Sequence, residues 1–210
     1  HVMCEQDSYV LERVLQRVKE KFHKQLMQVN WLNMGGGHWI TDKNYDVNHL
    51  INLLNQFHQD YPHLQLIMEP GEAIGLGTGF LLATVQDIVE NNGIKTAILD
   101  VSFSAHMPDT LEMPYKPIVR DANIDATNSP YKYRLGGISC LAGDYMSEYG
   151  FESPLQIGDQ IIFEDMIHYT MVKTTLFNGV KHPYIGVINQ SGDFELLRAI
   201  PYEYYKYRLS

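Results

Sequence analysis

The chain has 210 residues, 45% of them hydrophobic, enough to bury a real core in one large domain or two modest ones and too many for a disordered chain. Its formal charge of −9 argues against a nucleic-acid or anionic-membrane partner, because no basic stripe can displace counterions from phosphates, and suits a cationic substrate better. Two cysteines, Cys4 and Cys140, stand far apart with no CxxC, so neither a disulfide framework nor a zinc ribbon is suggested, and a reduced cytoplasm is expected.

The chain opens on His1 rather than methionine, and residues 2–6 run into a helical pattern without a polar lead-in, so the start reads as a cut. Val10, Leu11, Val14, Leu15, Val18 and Phe22 recur at helical spacing with Glu12, Arg13, Arg17 and Lys19 opposite, which predicts an amphipathic helix. Residues 29–34 form a short apolar stretch stopped by Gly35, Gly36 and Gly37 and read as a strand. Asp46 is a candidate N-cap for a second helix with Val47, Leu50, Ile51, Leu54 and Phe57 on one face, ending near Tyr61 and Pro62. Residues 64–68 are another buried-strand candidate, broken by Pro70 and Gly71.

This alternation is the α/β rhythm of a parallel sheet or barrel. After about Gly79 the texture changes to short β-prone runs at 81–89, 94–101, 160–163, 168–177, 184–188 and 194–200, separated by Asn92-Gly93, Asn178-Gly179 and Gly192-Asp193 turn signals. The Tyr-rich end, 202–207, reads as a packed or interfacial tail. No apolar run approaches the ~20 residues that span a bilayer, and no signal-peptide pattern opens the chain, so a soluble, unexported protein is expected.

Taken singly, the chemical motifs are weak. Three glycines after a strand let backbone N–H groups approach a phosphate, but they also make an ordinary tight turn. The alternation of Gly75, Gly77 and Gly79 is not a GxGxxG dinucleotide loop. Glu69 and Glu72 lie at the end of a predicted strand, where α/β enzymes keep their chemistry, and where an acid can also simply cap a loop. Cys140 taken alone reads as a buried thiol, and the histidines show no metal-ligand spacing, so no metal is expected.

The order of the motifs is more specific. HVMCEQ (1–6), NMGGGH (33–38), EPGEAIG (69–75), HMPD (106–109), CLAGD (140–144), GDQIIFEDMIHYT (158–170) and Phe177-Asn178-Gly179 together resemble the alanine-racemase-fold decarboxylases, a group with ornithine, diaminopimelate and carboxynorspermidine decarboxylases. EPGEA, HMPD and CLAGD look most like the carboxynorspermidine (carboxyspermidine) branch, and the resemblance runs along the whole chain. It implies an α/β-plus-β fold: residues 1–79 as the C-terminal part of a TIM-type (β/α)8 barrel that binds pyridoxal 5'-phosphate, and residues 80–210 as a mostly β domain completing the active site and a homodimer interface.

In such an enzyme His1 would stack on the cofactor ring and Glu69 would bond its pyridine nitrogen. The backbone of Gly35, Gly36 and Gly37 would cradle the phosphate with the Tyr169 hydroxyl, and Cys140, reaching the partner subunit's site, would return a proton to the substrate α-carbon. The wider group has arginine where this chain has Glu72, and ornithine decarboxylases have aspartate where it has Leu141. Both departures move recognition toward a polyamine with one amino-acid end, with Glu72 and Asp109 facing its ammonium groups and Glu112 a weaker candidate. Asp144 is expected at the dimer interface. The lysine that holds the cofactor in this group matches none of Lys43, Lys95 or Lys173, so about half a barrel is expected upstream, and the isolated chain is expected to be inactive. A relative that has lost catalysis and acts as a regulatory binding partner, or an amino-acid decarboxylase of the diaminopimelate or ornithine type, remain the alternatives.

Overall fold

A computed structural model describes His1 and residues 7–210; residues 2–6 of the first motif, with Cys4, lie outside the described residues. The chain forms two compact units, His1–Gly77 and Thr78–Ser210.

In the first unit, α1 (Ser8–Leu26) starts at Asp7, whose carboxylate accepts the Val10 N–H at 3.0 Å, and continues past a kink at Phe22. Helix α2 (Val47–Asp60) is capped by Asp46, which accepts the His49 N–H at 2.9 Å, as the sequence predicts. Between and after them lie β1 (Trp31–Asn33) and β2 (Gln65–Ile67), parallel, with α2 as the crossover and Asn33 opposite Ile67. Leu11 and Leu15 of α1, Leu50 and Phe57 of α2, and Met34, Tyr61 and Leu64 from the flanking loops make the core. Phe57 is fully buried, and the Lys19 ammonium lies 5.1 Å above its ring while pairing with Asp60. The short helix α3 (Gly71–Gly75) follows β2.

The second unit is built on a five-stranded sheet of order β6-β5-β4-β3-β7, antiparallel except for the β4–β5 pair. Its strands are β3 (Phe80–Asn91), β4 (Ile94–Leu99), β5 (Tyr131–Gly136), β6 (Tyr145–Phe151) and β7 (Gln160–Glu164). Asn92 and Gly93 both take positive φ, which matches the right-handed twist of the long β3–β4 hairpin. Two short helices, α4 (Phe103–His106) and α5 (Asp109–Glu112), sit in the β4–β5 connection. Phe103 packs edge-on to Phe163 at 5.7 Å, and Val85, Leu99, Met107, Leu135 and Tyr149 complete the core. Helix α6 (Tyr169–Val172), the hairpin β8 (Ile185–Ile188) and β9 (Phe194–Arg198), and α7 (Tyr202–Leu209) end the chain.

One sequence expectation is corrected here. Residues 168–177 are not a strand: α6 turns there, with Thr174 Oγ1 bonded to the Thr170 carbonyl, and local capping overrides the β propensity of the Thr- and Val-rich run. No element is read from the sequence at β5 or β6, whose runs are interrupted by Lys132 and Arg134 in one and Ser147 and Glu148 in the other and carry no continuous apolar stretch. The tyrosine tail is helix α7, in which Tyr202, Tyr204 and Tyr207 are exposed and Tyr205 is half-buried. No helix among the described residues is long and apolar enough to cross a membrane.

Candidate active site

The chemistry-bearing residues of the first unit meet where the two parallel strands end at their C-terminal edges, the end at which α/β sheets hold ligands. Beyond Asn33 and Ile67 the ladder continues through Met34 N–H to Ile67 carbonyl (2.8 Å) and Glu69 N–H to Gly35 carbonyl (2.9 Å), which lays the EPGE turn against the glycine loop. Asn33 ties the corner together. Its Oδ1 accepts the Gly35 N–H at 2.8 Å and its Nδ2 donates to Glu69 Oε1 at 2.6 Å. The glycines are sterically required: Gly35 and Gly37 adopt φ of +71° and +89°. A Cβ at Gly36 would lie 2.7 Å from the Glu69 carbonyl oxygen and 3.2 Å from His1 Nε2, and one at Gly35 would lie 3.0 Å from the His1 backbone. His1, Gly35, Gly36 and Glu69 therefore share one corner. Next to it His38 is buried, and burial lowers its pKa, so its imidazole is a neutral neighbour of the glycine loop. Glu72 stands half-buried in the first turn of α3.

The second unit holds Asp109, Cys140 and Tyr169. Cys140 is a free, exposed thiol on the β5–β6 turn, not the buried thiol that its sequence neighbours suggested. Asp144, expected at the dimer interface, is 4% exposed and is held by partners within its own unit. Its Oδ1 accepts from Ser102 Oγ (3.2 Å) and the Ser104 N–H (3.0 Å), and its Oδ2 accepts the Ser139 N–H (3.0 Å). A buried carboxylate persists only with such partners, and this one fixes the turn carrying Cys140 to α4. The Cys140 N–H is itself donated to Asn178 Oδ1 at 2.9 Å. Asp109, expected to face a substrate ammonium, has a side chain 13% exposed and bonds Lys173 Nζ at 2.6 Å, and Glu112 pairs with the same ammonium. The two carboxylates raise the Lys173 pKa, so it is charged throughout the physiological range. Tyr169 is exposed at the start of α6.

Sequence reasoning missed Asn33, Asn178 and Lys173. The first had a local signal, an Asn two residues before a glycine, which is an Asx-turn pattern. Asn178 stands in the sequence as a turn signal and as part of the Phe177-Asn178-Gly179 motif with no role of its own, yet it takes φ +59° and offers its side chain to a loop 38 residues away.

The C-terminal sheet domain of the pyridoxal-dependent decarboxylases matches residues 8–167. The chain belongs to this family. A carboxyaminopropylagmatine decarboxylase of Synechocystis sp. is 55% identical over 209 residues, covering 100% of this chain and 54% of that protein. A carboxynorspermidine/carboxyspermidine decarboxylase of Campylobacter jejuni is 45% identical, covering 99% and 56%. The crystal structure of the Campylobacter jejuni carboxynorspermidine decarboxylase complexed with norspermidine superposes with a TM-score of 0.90 at 44% identity, covering 99% of this chain and 59% of that one. The chain spans about half the length of these decarboxylases. The alanine-racemase-type fold extends to a diaminopimelate decarboxylase of M. jannaschii at a TM-score of 0.70 and 20% identity. The donor set of the first unit suits a pyridoxal cofactor. A glycine loop at the C-terminal end of a strand can present backbone N–H groups to a phosphate, and the Glu69 carboxylate packed against it can face a cationic ring nitrogen.

Proposed function

We propose that this chain is the C-terminal part of a pyridoxal-phosphate-dependent carboxy-lyase of polyamine biosynthesis, with the first unit as the last part of a (β/α)8 barrel. Its substrate is carboxynorspermidine or carboxyspermidine, and its products are CO2 and norspermidine or spermidine. The observation that carries this reading is the Asn33–Gly35–Glu69 corner, in a chain that keeps full-length similarity to decarboxylases of carboxylated polyamines. When bound, the cofactor supplies the electron sink that accepts the electron pair released as CO2 leaves the α-carbon.

The chain's own residues do the rest. Glu69, oriented by the Asn33 amide, holds a proton at the pyridine nitrogen. Because the Gly35 N–H is donated to Asn33, phosphate binding falls to the Gly36 and Gly37 N–H groups, with Gly35 shaping the turn and the Tyr169 hydroxyl adding a donor. His1 lies against the glycine loop and stacks on the ring. Cys140 returns a proton to the α-carbon, as a general acid on an exposed turn that reaches the partner subunit's site in a homodimer. Glu72 pairs with a substrate ammonium. The N-terminal barrel portion is required, since the lysine that holds the cofactor is proposed to lie there, and the 210 residues alone are inactive.

A second reading, with carboxyaminopropylagmatine as substrate, is favoured by the 55% identity to the Synechocystis protein. The two kinds of compound share a carboxylated aminopropyl end and differ at the far end, where agmatine carries a guanidinium. The test is CO2 release by the full-length protein from each compound, with and without added pyridoxal phosphate. The reading requires cofactor-dependent release from a carboxylated polyamine and a loss of about a hundredfold or more in Cys140→Ala, the scale of a missing general acid. Absence of cofactor dependence would refute it, and faster release from carboxyaminopropylagmatine would select the second substrate.

A further inference from the structure

Resting on this reading, we infer that Lys173 is a positioning residue: clamped between Asp109 and Glu112, it fixes the strap that presents Tyr169 at one end and holds the Cys140 turn at the other. The two acids occupy the first and last positions of α5, three residues apart and so on one face of the helix, and both reach the same ammonium. Asp109 is the more buried of the two, so its charge needs a compensating partner, and Lys173 supplies it from 64 residues away.

Lys173 caps the C-terminal end of α6, one turn after Tyr169. Two residues further on, the Thr175 N–H bonds the Ala105 carbonyl of α4 at 2.8 Å, and Leu176 and Val180 are buried as apolar anchors. Between these anchors Asn178 accepts the Cys140 N–H. The strap between α6 and Val180 has no strand partner among the described residues, so these points of attachment set its position. Lys173 contributes the charged attachment, and Tyr169 and Asn178 lie four and five residues from it on either side. Slippage at Lys173 would therefore act directly on the Tyr169 end and reach the Asn178 end through the Thr175 and Leu176 attachments.

The clamp also bears on specificity. The HMPD carboxylate is neutralised internally, so on this arrangement it serves the clamp and does not read the substrate. If Asp109 instead bound substrate, Lys173 would be its competitor, and removing the lysine would tighten substrate binding. The two arrangements predict opposite kinetic signatures.

The experiment compares wild type, Lys173→Met, Lys173→Arg and Glu112→Gln in the full-length protein, measuring kcat and KM for CO2 release and amide exchange at Cys140 and Thr175. The clamp predicts that Lys173→Met lowers kcat by about ten- to a hundredfold, the scale of a misplaced reacting group. It also predicts KM unchanged within about twofold, both amides exchanging about tenfold faster, and substantial recovery in Lys173→Arg. Glu112→Gln removes an exposed partner, so it remains folded if Lys173→Met does not, and it must show the same pattern at smaller size. A fall in KM with kcat retained would overturn the proposal in favour of substrate binding by Asp109. Unchanged exchange at both amides would overturn it as well. The exchange readout needs no turnover, so a wild type inert toward carboxylated polyamines would refute the proposed function while leaving the clamp separately judged.

Discussion

Replacing Asp144 by asparagine keeps the shape of the side chain and changes one oxygen into a donor. The carboxylate accepts three bonds, from Ser102 Oγ, the Ser104 N–H and the Ser139 N–H, at 3.0 to 3.2 Å. An asparagine oriented to keep Oδ1 toward Ser102 and Ser104 would turn its amide nitrogen onto the Ser139 N–H, donor against donor. A hydrogen bond to a charged group contributes about 1.5–3 kcal/mol, and a buried N–H left without an acceptor costs about 1–3 kcal/mol. These are two descriptions of overlapping losses, so the expected destabilisation is about 1.5–3 kcal/mol. Urea denaturation of the full-length protein, followed at several protein concentrations, measures it. The variant should unfold earlier by this amount with no greater dependence on protein concentration than wild type, because the carboxylate is only 4% exposed and its partners lie in the same unit. A loss under about 1 kcal/mol, or a midpoint that becomes strongly concentration-dependent, would refute the assignment and restore Asp144 to a subunit interface.

Gly36→Ala places a Cβ 2.7 Å from the Glu69 carbonyl oxygen, so the glycine loop or the EPGE turn must shift; pyridoxal phosphate titration should show affinity weakened at least about tenfold, equivalent to about 1.4 kcal/mol. Glu72→Arg should raise KM for a polyamine substrate by more than about tenfold while leaving the urea midpoint nearly unchanged, a separation that steady-state kinetics and denaturation together would reveal. Burial holds the His106 imidazole at a pKa of about 4, against 6.5 for an unhindered histidine. The folded pKa is the lower one, so the unfolded chain binds the extra proton between these values. Stability is full above pH 6.5 and falls on acidification toward pH 4, by up to about 1.4 kcal/mol per pH unit. Urea midpoints between pH 7 and 5 should show that slope, and His106→Gln should flatten it.

Local features of the fold were legible where one residue carries its own physical signal. Asp46 announces α2 because a short acceptor must satisfy the first free N–H groups, and Asn92-Gly93 announces the β3–β4 hairpin because both positions need positive φ. Glu69 stood out because it ends a short apolar strand. The missing pieces depend on contacts that sequence spacing does not encode. Asp144 meets Ser102 and Ser104 across about 40 residues, and Lys173 meets Asp109 across 64, so neither partnership leaves a periodic trace. Taken alone, an acid in HMPD looks like a free substrate ligand; only the folded unit supplies its counter-charge. Likewise Asn178 resembles any turn asparagine until the Cys140 turn is brought beside it.

Glu69, Glu72 and Cys140 are proposed to serve decarboxylation of a carboxylated polyamine. Comparing kcat/KM of the full-length protein for carboxynorspermidine, carboxyaminopropylagmatine, diaminopimelate and ornithine tests it most directly. One of the two carboxylated polyamines should exceed both amino acids by at least about a hundredfold, equivalent to about 2.7 kcal/mol of transition-state discrimination. Equal or faster turnover of diaminopimelate or ornithine would contradict it.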